Sequence, residues 1–320
     1  LHQLTVLAFA ASLAGACDLP PEPADDADGI APQTFRGTGG GVGSGGIGLN
    51  TNWLGDTAIS EFDTNGDKHG GVILHKVVLA GHSVDDLFVD EDVLRGKRGG
   101  VPLKGADFIG SQWIFELTEG PHAGEMATLS MNNVRRVNDE EGRLLYTFGD
   151  VTFNDGVPTC EADDDGNYDA ALYGDLTVDA DTAVVSARPH TIYIGCLSGA
   201  LGKASHGWGY WPYEIGMRRF TSVIRAIRAD FCGDGGSWTT PGQILQRVDK
   251  FGVSPSFADA SLPNEGVWNE DGAVCIGEYT RLGEFWENVL CDGNPIEPCH
   301  TDAEGNDAFS TSGELWTKLF

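Results

Sequence analysis

Six cysteines crowd into the second half of this 320-residue chain, and they limit its folds more than any other feature. They are Cys160, Cys196, Cys232, Cys275, Cys291 and Cys299. In an exported chain an even set reads as three disulfides, with the connectivity left open by sequence alone. Cys291 and Cys299 are the expected local pair, because Gly293 and Pro295 turn the chain between them. A metal site is the other use of such residues. No Cys-x2-Cys pair and no histidine at zinc-ligand spacing accompanies them, so no metal is expected there.

The seventh cysteine, Cys17, directly follows Leu13-Ala14-Gly15-Ala16 and an uncharged apolar run from Leu4 to Ala14. That run is too short to span a bilayer as a helix. It has the length of a signal h-region with a small-residue cleavage site. Leu1-His2-Gln3 stand ahead of it without the usual basic residues. Residues 1–17 therefore read as a lipoprotein signal peptide, with Cys17 as the lipidated first residue of the mature protein. The expected location is the cell envelope, lipid-anchored, at the outer membrane or surface of a Gram-negative bacterium. The anchor makes the membrane a partner. A buried apolar helix is the competing reading, and the Asp, Pro and Gly that follow do not continue one.

Residues 18–49 read as a flexible tether, acidic and Pro-rich at first and almost all glycine from Gly37 to Gly48. Such a segment buries too little apolar surface to offset its ordering entropy. Gly41-Val42-Gly43-Ser44-Gly45-Gly46 matches GxGxxG, but no strand precedes it and no helical pattern follows, so it is no dinucleotide site. The net charge of -28 excludes nucleic acid as a partner, because phosphate recognition needs a basic surface. It equally opposes adhesion to anionic lipid through charge.

Hydrophobic residues make up 41% of the chain, enough for a real core. The expected class is α+β: a β-rich antiparallel N-terminal half, then a disulfide-stapled, loop-rich part with one main amphipathic helix. Residues 50–100 form a β-rich lead-in. Strands are predicted at Gly71–Leu79, Trp113–Leu117, Arg143–Phe148, Ala183–Val185 and Thr191–Ile194, separated by Gly, Asp and Asn clusters. Phe220, Ile224, Ile227 and Phe231 at helical spacing predict a helix from Tyr213 to Phe231, opened by Pro212 and closed by Gly233. A second helix is predicted from Arg281 to Leu290, with Leu282, Phe285 and Val289 on one face.

No motif fixes a reaction. GxSxG, HExxH and the P-loop are all absent. Three acidic, glycine-containing loops invite calcium: Asp63–Asp67, Asp163–Asp169 and Asp302–Asp307. The first resembles the start of an EF-hand loop, but Lys68 and Leu74 stand where that loop needs Gly and a bidentate Glu. All three read better as solvated turns, so no cofactor is expected, with calcium the one to test. Trp208, Tyr210 and Trp211 could form a stacking face for sugars or peptides, joined by Arg218 and Arg225 as an anion clamp. The alternatives are an aromatic core plug and arginines paired with nearby acids.

One stretch resembles a known family. Arg228-Ala229-Asp230-Phe231-Cys232-Gly233 looks like the motif of the ADYC domain, with Phe231 in place of Tyr. Gly207–Pro212, Gly272–Cys275 with Thr280-Arg281, the pair Cys291 and Cys299, and Leu103–Gly110 resemble that family's flanking blocks in the same order. The resemblance covers residues 101–300 and leaves 301–320 as a C-terminal tail. It implies an exported bacterial protein, often a lipoprotein, and supplies no catalytic residues. Asp230 near a helix C-terminus opposes the dipole, so a specific partner is expected for it. The function expected is non-enzymatic: binding or structure at the cell surface, with a glycan or protein partner. The alternatives are a hydrolase of surface polymers and a calcium-stabilised adhesion domain.

Overall fold

The computed structural model describes residues 48–137, 142–239, 243–254, 261–302 and 305–320. The expected signal peptide, Cys17 and nearly all of the tether lie outside the described residues, as does part of the Asp302–Asp307 loop.

Ten strands build one large sheet: β1 (Glu61–Asp63), β2 (Val72–Leu79), β3 (His82–Asp90), β4 (Val93–Arg98), β5 (Val101–Lys104), β6 (Gln112–Leu117), β7 (Met126–Arg136), β8 (Leu144–Asp150), β9 (Ala170–Val178) and β10 (Val185–Cys196). Their spatial order is β1-β10-β9-β8-β7-β6-β2-β3-β4-β5, with the short strand Val157–Pro158 added to β8. Every pairing is antiparallel. The expected boundary near residue 100 therefore crosses one continuous sheet. The sheet rolls up. Phe62 on β1 meets Trp113 and Phe115 on β6 edge-on at 5.7 and 5.1 Å, although four strands separate them in the ladder. These rings are fully or almost fully buried, and each contributes about 1.5–3 kcal/mol by leaving water.

Alternation along the strands sorts side chains between two cores. Leu172, Ile192, Ile194 and Tyr146 face the interior of the roll. Their neighbours Tyr173, Tyr193 and Leu145 face outward into a second core. That second core is closed by helices α1 (Pro212–Ile215) and α2 (Met217–Arg228), then by a four-stranded antiparallel sheet. The small sheet contains β11 (Leu245–Asp249), β12 (Asn264–Asn269), β13 (Gly272–Ile276) and β14 (Leu315–Leu319), ordered β11-β14-β12-β13. Residues from Phe220 to Arg228 are buried without exception, because α2 is covered on opposite sides by β10 and by the small sheet.

The protein is thus mostly antiparallel β, and three sequence expectations need correction. The second half carries a sheet of its own, and β14 lies inside the expected tail. The single helix from Tyr213 to Phe231 is two, broken where Gly216 adopts φ +83°. No helix runs from Arg281 to Leu290: only the 3-10 turn Trp286–Asn288 forms there. Thr280 instead closes a tight loop, accepting from the Leu282 and Glu284 amides at 3.3 and 3.2 Å. Leu282 and Phe285 point to solvent, so the expected apolar face does not exist.

All six cysteines pair, as Cys160–Cys196, Cys232–Cys291 and Cys275–Cys299. The expected Cys291–Cys299 bridge is absent because the two residues belong to different contacts. Cys291 sits on the hairpin Leu290–Cys291/Asn294–Pro295 below the end of α2. Cys299 runs beside β13, its amide bonded to the Ile276 carbonyl at 2.7 Å. Alkylation of the unreduced, denatured protein is expected to leave these six untouched. Mass spectrometry showing an alkylated thiol on any of them contradicts this pairing.

Candidate functional site

The family-like motif is a structural knot. Ala229 ends α2 in the left-handed region at φ +51°. The Ala229 and Asp230 amides then return to the Ala226 and Arg225 carbonyls, a Schellman closure in which Ala229 fills the position expected of Gly233. The Asp230 carboxylate is fully buried. It accepts from the Arg225 guanidinium and from the Asp234 and Gly235 amides at 3.1 and 3.0 Å. Burial pushes its carboxyl above the usual range, with Arg225 the main counterweight. Its three hydrogen-bond partners are all donors, while the nearby Asp234 carboxylate adds to the upward push. Phe231 stacks on Trp268 at 5.1 Å, and Cys232 bridges to Cys291.

Two glycines let the knot close. A Cβ on Gly233 would lie 1.8 Å from the Asp271 carbonyl oxygen, and one on Gly235 would lie 1.9 Å from that of Asp181. Asp271 is in the β12–β13 turn and Asp181 in the β9–β10 turn, so this turn is wedged between hairpins of both sheets.

A second buried ion pair supports the same helix end. Arg281 grips Glu265, with Nη2 at 2.7 Å from Oε2, and donates to the Ala226 and Ile227 carbonyls at 2.7 and 2.9 Å. A cation on the last carbonyls complements the helix dipole. Sequence reading missed this pair, although Thr280-Arg281 was among the family-like residues.

The expected ligand face is not assembled. Tyr210 and Trp211 are buried, and Trp208 is half-buried. Tyr210 donates to Asp249 at 2.8 Å. Burial acts to raise the Asp249 carboxyl, but hydrogen bonds led by Ser254 outweigh it and hold the group below its usual range. Arg225 is spent on Asp230, and Arg218 is exposed against Glu270 and Glu314. In two of the acidic loops one carboxylate oxygen accepts from the loop's own amides. Asp63 accepts from the Asn65 amide at 2.7 Å, and Asp163 from the Asp165 and Asn167 amides at 3.0 and 2.7 Å. Among the described residues no group of three or more metal-ligating side chains converges.

The concave surface lies elsewhere. A groove of about 500 Å³ runs where the rolled sheet brings β3 against β9 and β10. Two ladder irregularities shape it. Asp86 and Leu87 bulge out of β3 between the pairs Asp85–Lys97 and Phe88–Arg95. Arg188–Thr191 bulge out of β10 opposite the single residue Asp175. Asp86, Asp175 and His190 have φ of +53°, +55° and +61°, a conformation that costs non-glycine residues energy. The His190 amide donates to Asp175 at 2.8 Å, and its carbonyl accepts from the Thr64 amide at 2.7 Å. Phe88, half exposed, and Asn65 complete the lining. A smaller cleft of about 100 Å³ adjoins it at Val89 and is walled by Tyr173, Pro212 and Tyr213. No sequence motif marks these residues.

Histidine–carboxylate contacts occur at His69–Glu61, His75–Glu116 and His122–Glu125, at 3.1, 3.1 and 3.4 Å. None of these residues lines the groove. Buried Tyr146, Tyr173, Tyr193 and Tyr210 are pushed well above the usual phenol range by desolvation and stay neutral hydrogen-bonding groups.

No curated protein and no solved structure gives a significant match to this chain. A family model does: the ADYC domain matches residues 105–282. That span begins at the turn before β6, takes in the knot from Arg228 to Gly235, and ends one residue beyond Arg281. By this match over more than half its length, the chain belongs to the ADYC domain family.

Proposed function

We propose that this protein is an exported, lipid-anchored module of the bacterial cell envelope that acts by binding or as structure, not by catalysis. The three disulfides carry the reading, because a chain whose described cysteines all pair is built for an oxidising compartment. The Leu13–Cys17 sequence supports it with an attachment point, and the acidic composition with a well-hydrated surface. The groove between β3 and the β9–β10 pair is the binding site of this reading. A hydrolase needs an acid and a base poised together in a cleft. The His69, His75 and His122 contacts with carboxylates lie away from the groove, and within it Asp175 bonds the His190 backbone amide and not its imidazole, an arrangement that favours binding. A calcium-stabilised adhesion domain needs several converging carboxylates, and no group of three or more metal-ligating side chains converges among the described residues, while Oδ1 of Asp63 and of Asp163 accepts from turn amides.

Expression from the native start with a fatty-acid analogue is expected to label the wild type and not Cys17→Ser. Equal labelling of both removes the anchor from this reading. No labelling of either does the same.

A further inference from the structure

We propose that the groove between β3 and the β9–β10 pair binds a neutral saccharide, with Phe88 as its stacking surface. This rests on the reading of the protein as a binding module and names what is bound.

The lining sets the chemistry. Phe88 presents an aromatic ring, 50% exposed, on a strand whose backbone is fixed by the ladder to β4. A ring held this way loses little entropy on binding. Sugar rings offer an apolar C–H face to such a surface and hydroxyls around its rim. The rim here supplies both donors and acceptors. Asp175 keeps one carboxylate oxygen beyond its bond to the His190 amide. Asp86 keeps one beyond its contact with Lys97 at 2.9 Å. The Asn65 side-chain carboxamide and the His190 imidazole make no hydrogen bond to protein among the described residues.

That mixture distinguishes among ligands. A site for a cation needs acceptors alone. Two carboxylates in the groove, on a chain with net charge -28, repel an anion. A polyhydroxyl ligand uses donors, acceptors and the ring together. The volume of about 500 Å³ falls within the ordinary range of small-molecule sites. The three left-handed residues hold the lining in place at an energetic cost, as strained backbone at a working surface does.

The test is calorimetric titration of the full chain with cellohexaose, maltohexaose and hexa-N-acetylchitohexaose, and with hexagalacturonic acid as the anionic counter-probe. Product chromatography follows each mixture. At least one neutral hexasaccharide is expected to bind, and the acidic one not. Phe88→Ala is expected to weaken binding about tenfold with an unchanged melting temperature, because the ring is half in water. Asp175→Asn keeps an acceptor for the His190 amide and tolerates the left-handed backbone. It is expected to weaken binding several-fold while the fold persists.

If no neutral sugar binds, or if Phe88→Ala binds as the wild type does, the saccharide proposal fails and the envelope-module reading stands. Stronger binding of hexagalacturonic acid than of the neutral sugars also overturns it. Cleavage of a neutral sugar that Phe88→Ala abolishes keeps the saccharide site and overturns the non-enzymatic reading instead.

Discussion

Asp230→Asn is expected to lower yield and stability, and to impair formation of the Cys232–Cys291 disulfide. The carboxylate faces Arg225 and two backbone amides, all of them donors. An asparagine side chain must turn its own N–H groups toward one of them. It also leaves the Arg225 guanidinium, 2% exposed, without a counter-charge. Removing one partner of a buried pair costs about 3–5 kcal/mol. In a domain of this size that corresponds to a fall of roughly 10 °C in melting temperature. Arg225→Met combined with Asp230→Asn should recover part of the loss, since both charges then go. Thermal melts of the wild type and of both variants, with the disulfide quantified by peptide mapping, test this. An Asp230→Asn protein that melts normally but no longer binds ligand would make the motif a functional site instead of a knot.

Arg281→Met should have an effect of similar size for a different reason. It strands the Glu265 carboxylate, which is fully buried and whose other named donor is the Thr317 hydroxyl at 2.8 Å. It also removes two donors from the carbonyls of Ala226 and Ile227 at the end of α2. A loss of about 3–5 kcal/mol is expected from the orphaned charge, with the helix end adding to it. Glu265→Gln in the Arg281→Met background should return stability toward wild type. If the double variant melts no higher than the single one, Glu265 is not the seat of the effect.

What the sequence revealed followed from regular spacing. β2, β6, β8 and the Thr191–Ile194 part of β10 were legible because their residues are apolar and β-branched or aromatic, whereas the predicted Ala183–Val185 strand meets β10 only at Val185. β3 was not. Its sequence His82-Ser83-Val84-Asp85-Asp86-Leu87-Phe88-Val89-Asp90 is mostly polar, and six of its nine residues are exposed. The ladder, not the side chains, holds it. The 3.6-residue period found α2 but missed the break at Gly216, because Pro212 to Arg228 keeps one apolar face across it. Leu282, Phe285 and Val289 gave the same period by coincidence. There Arg281 turns inward to Glu265 while Leu282 beside it lies in solvent. Asp230 was legible as a residue needing partners, from its place against the dipole alone. The groove was not legible at all. It arises where bulges in β3 and β10 meet across the rolled sheet, and those residues are about 100 positions apart in the chain.

The position of β14 sets the order in which the molecule can be completed. Leu315–Leu319 lies between β11 and β12, so neither neighbour can pair on that side until the last strand arrives. The rolled sheet contains nothing beyond Cys196 and can form while later residues are still emerging. Helix α2, buried on opposite sides, has only one of its two walls at that stage. A chain halted at Thr311 would display the inner face of α2 and two strand edges to the solvent, the surfaces that invite aggregation. The small sheet must therefore close after residues 315–319 have joined it, and α2 keeps one open side until then.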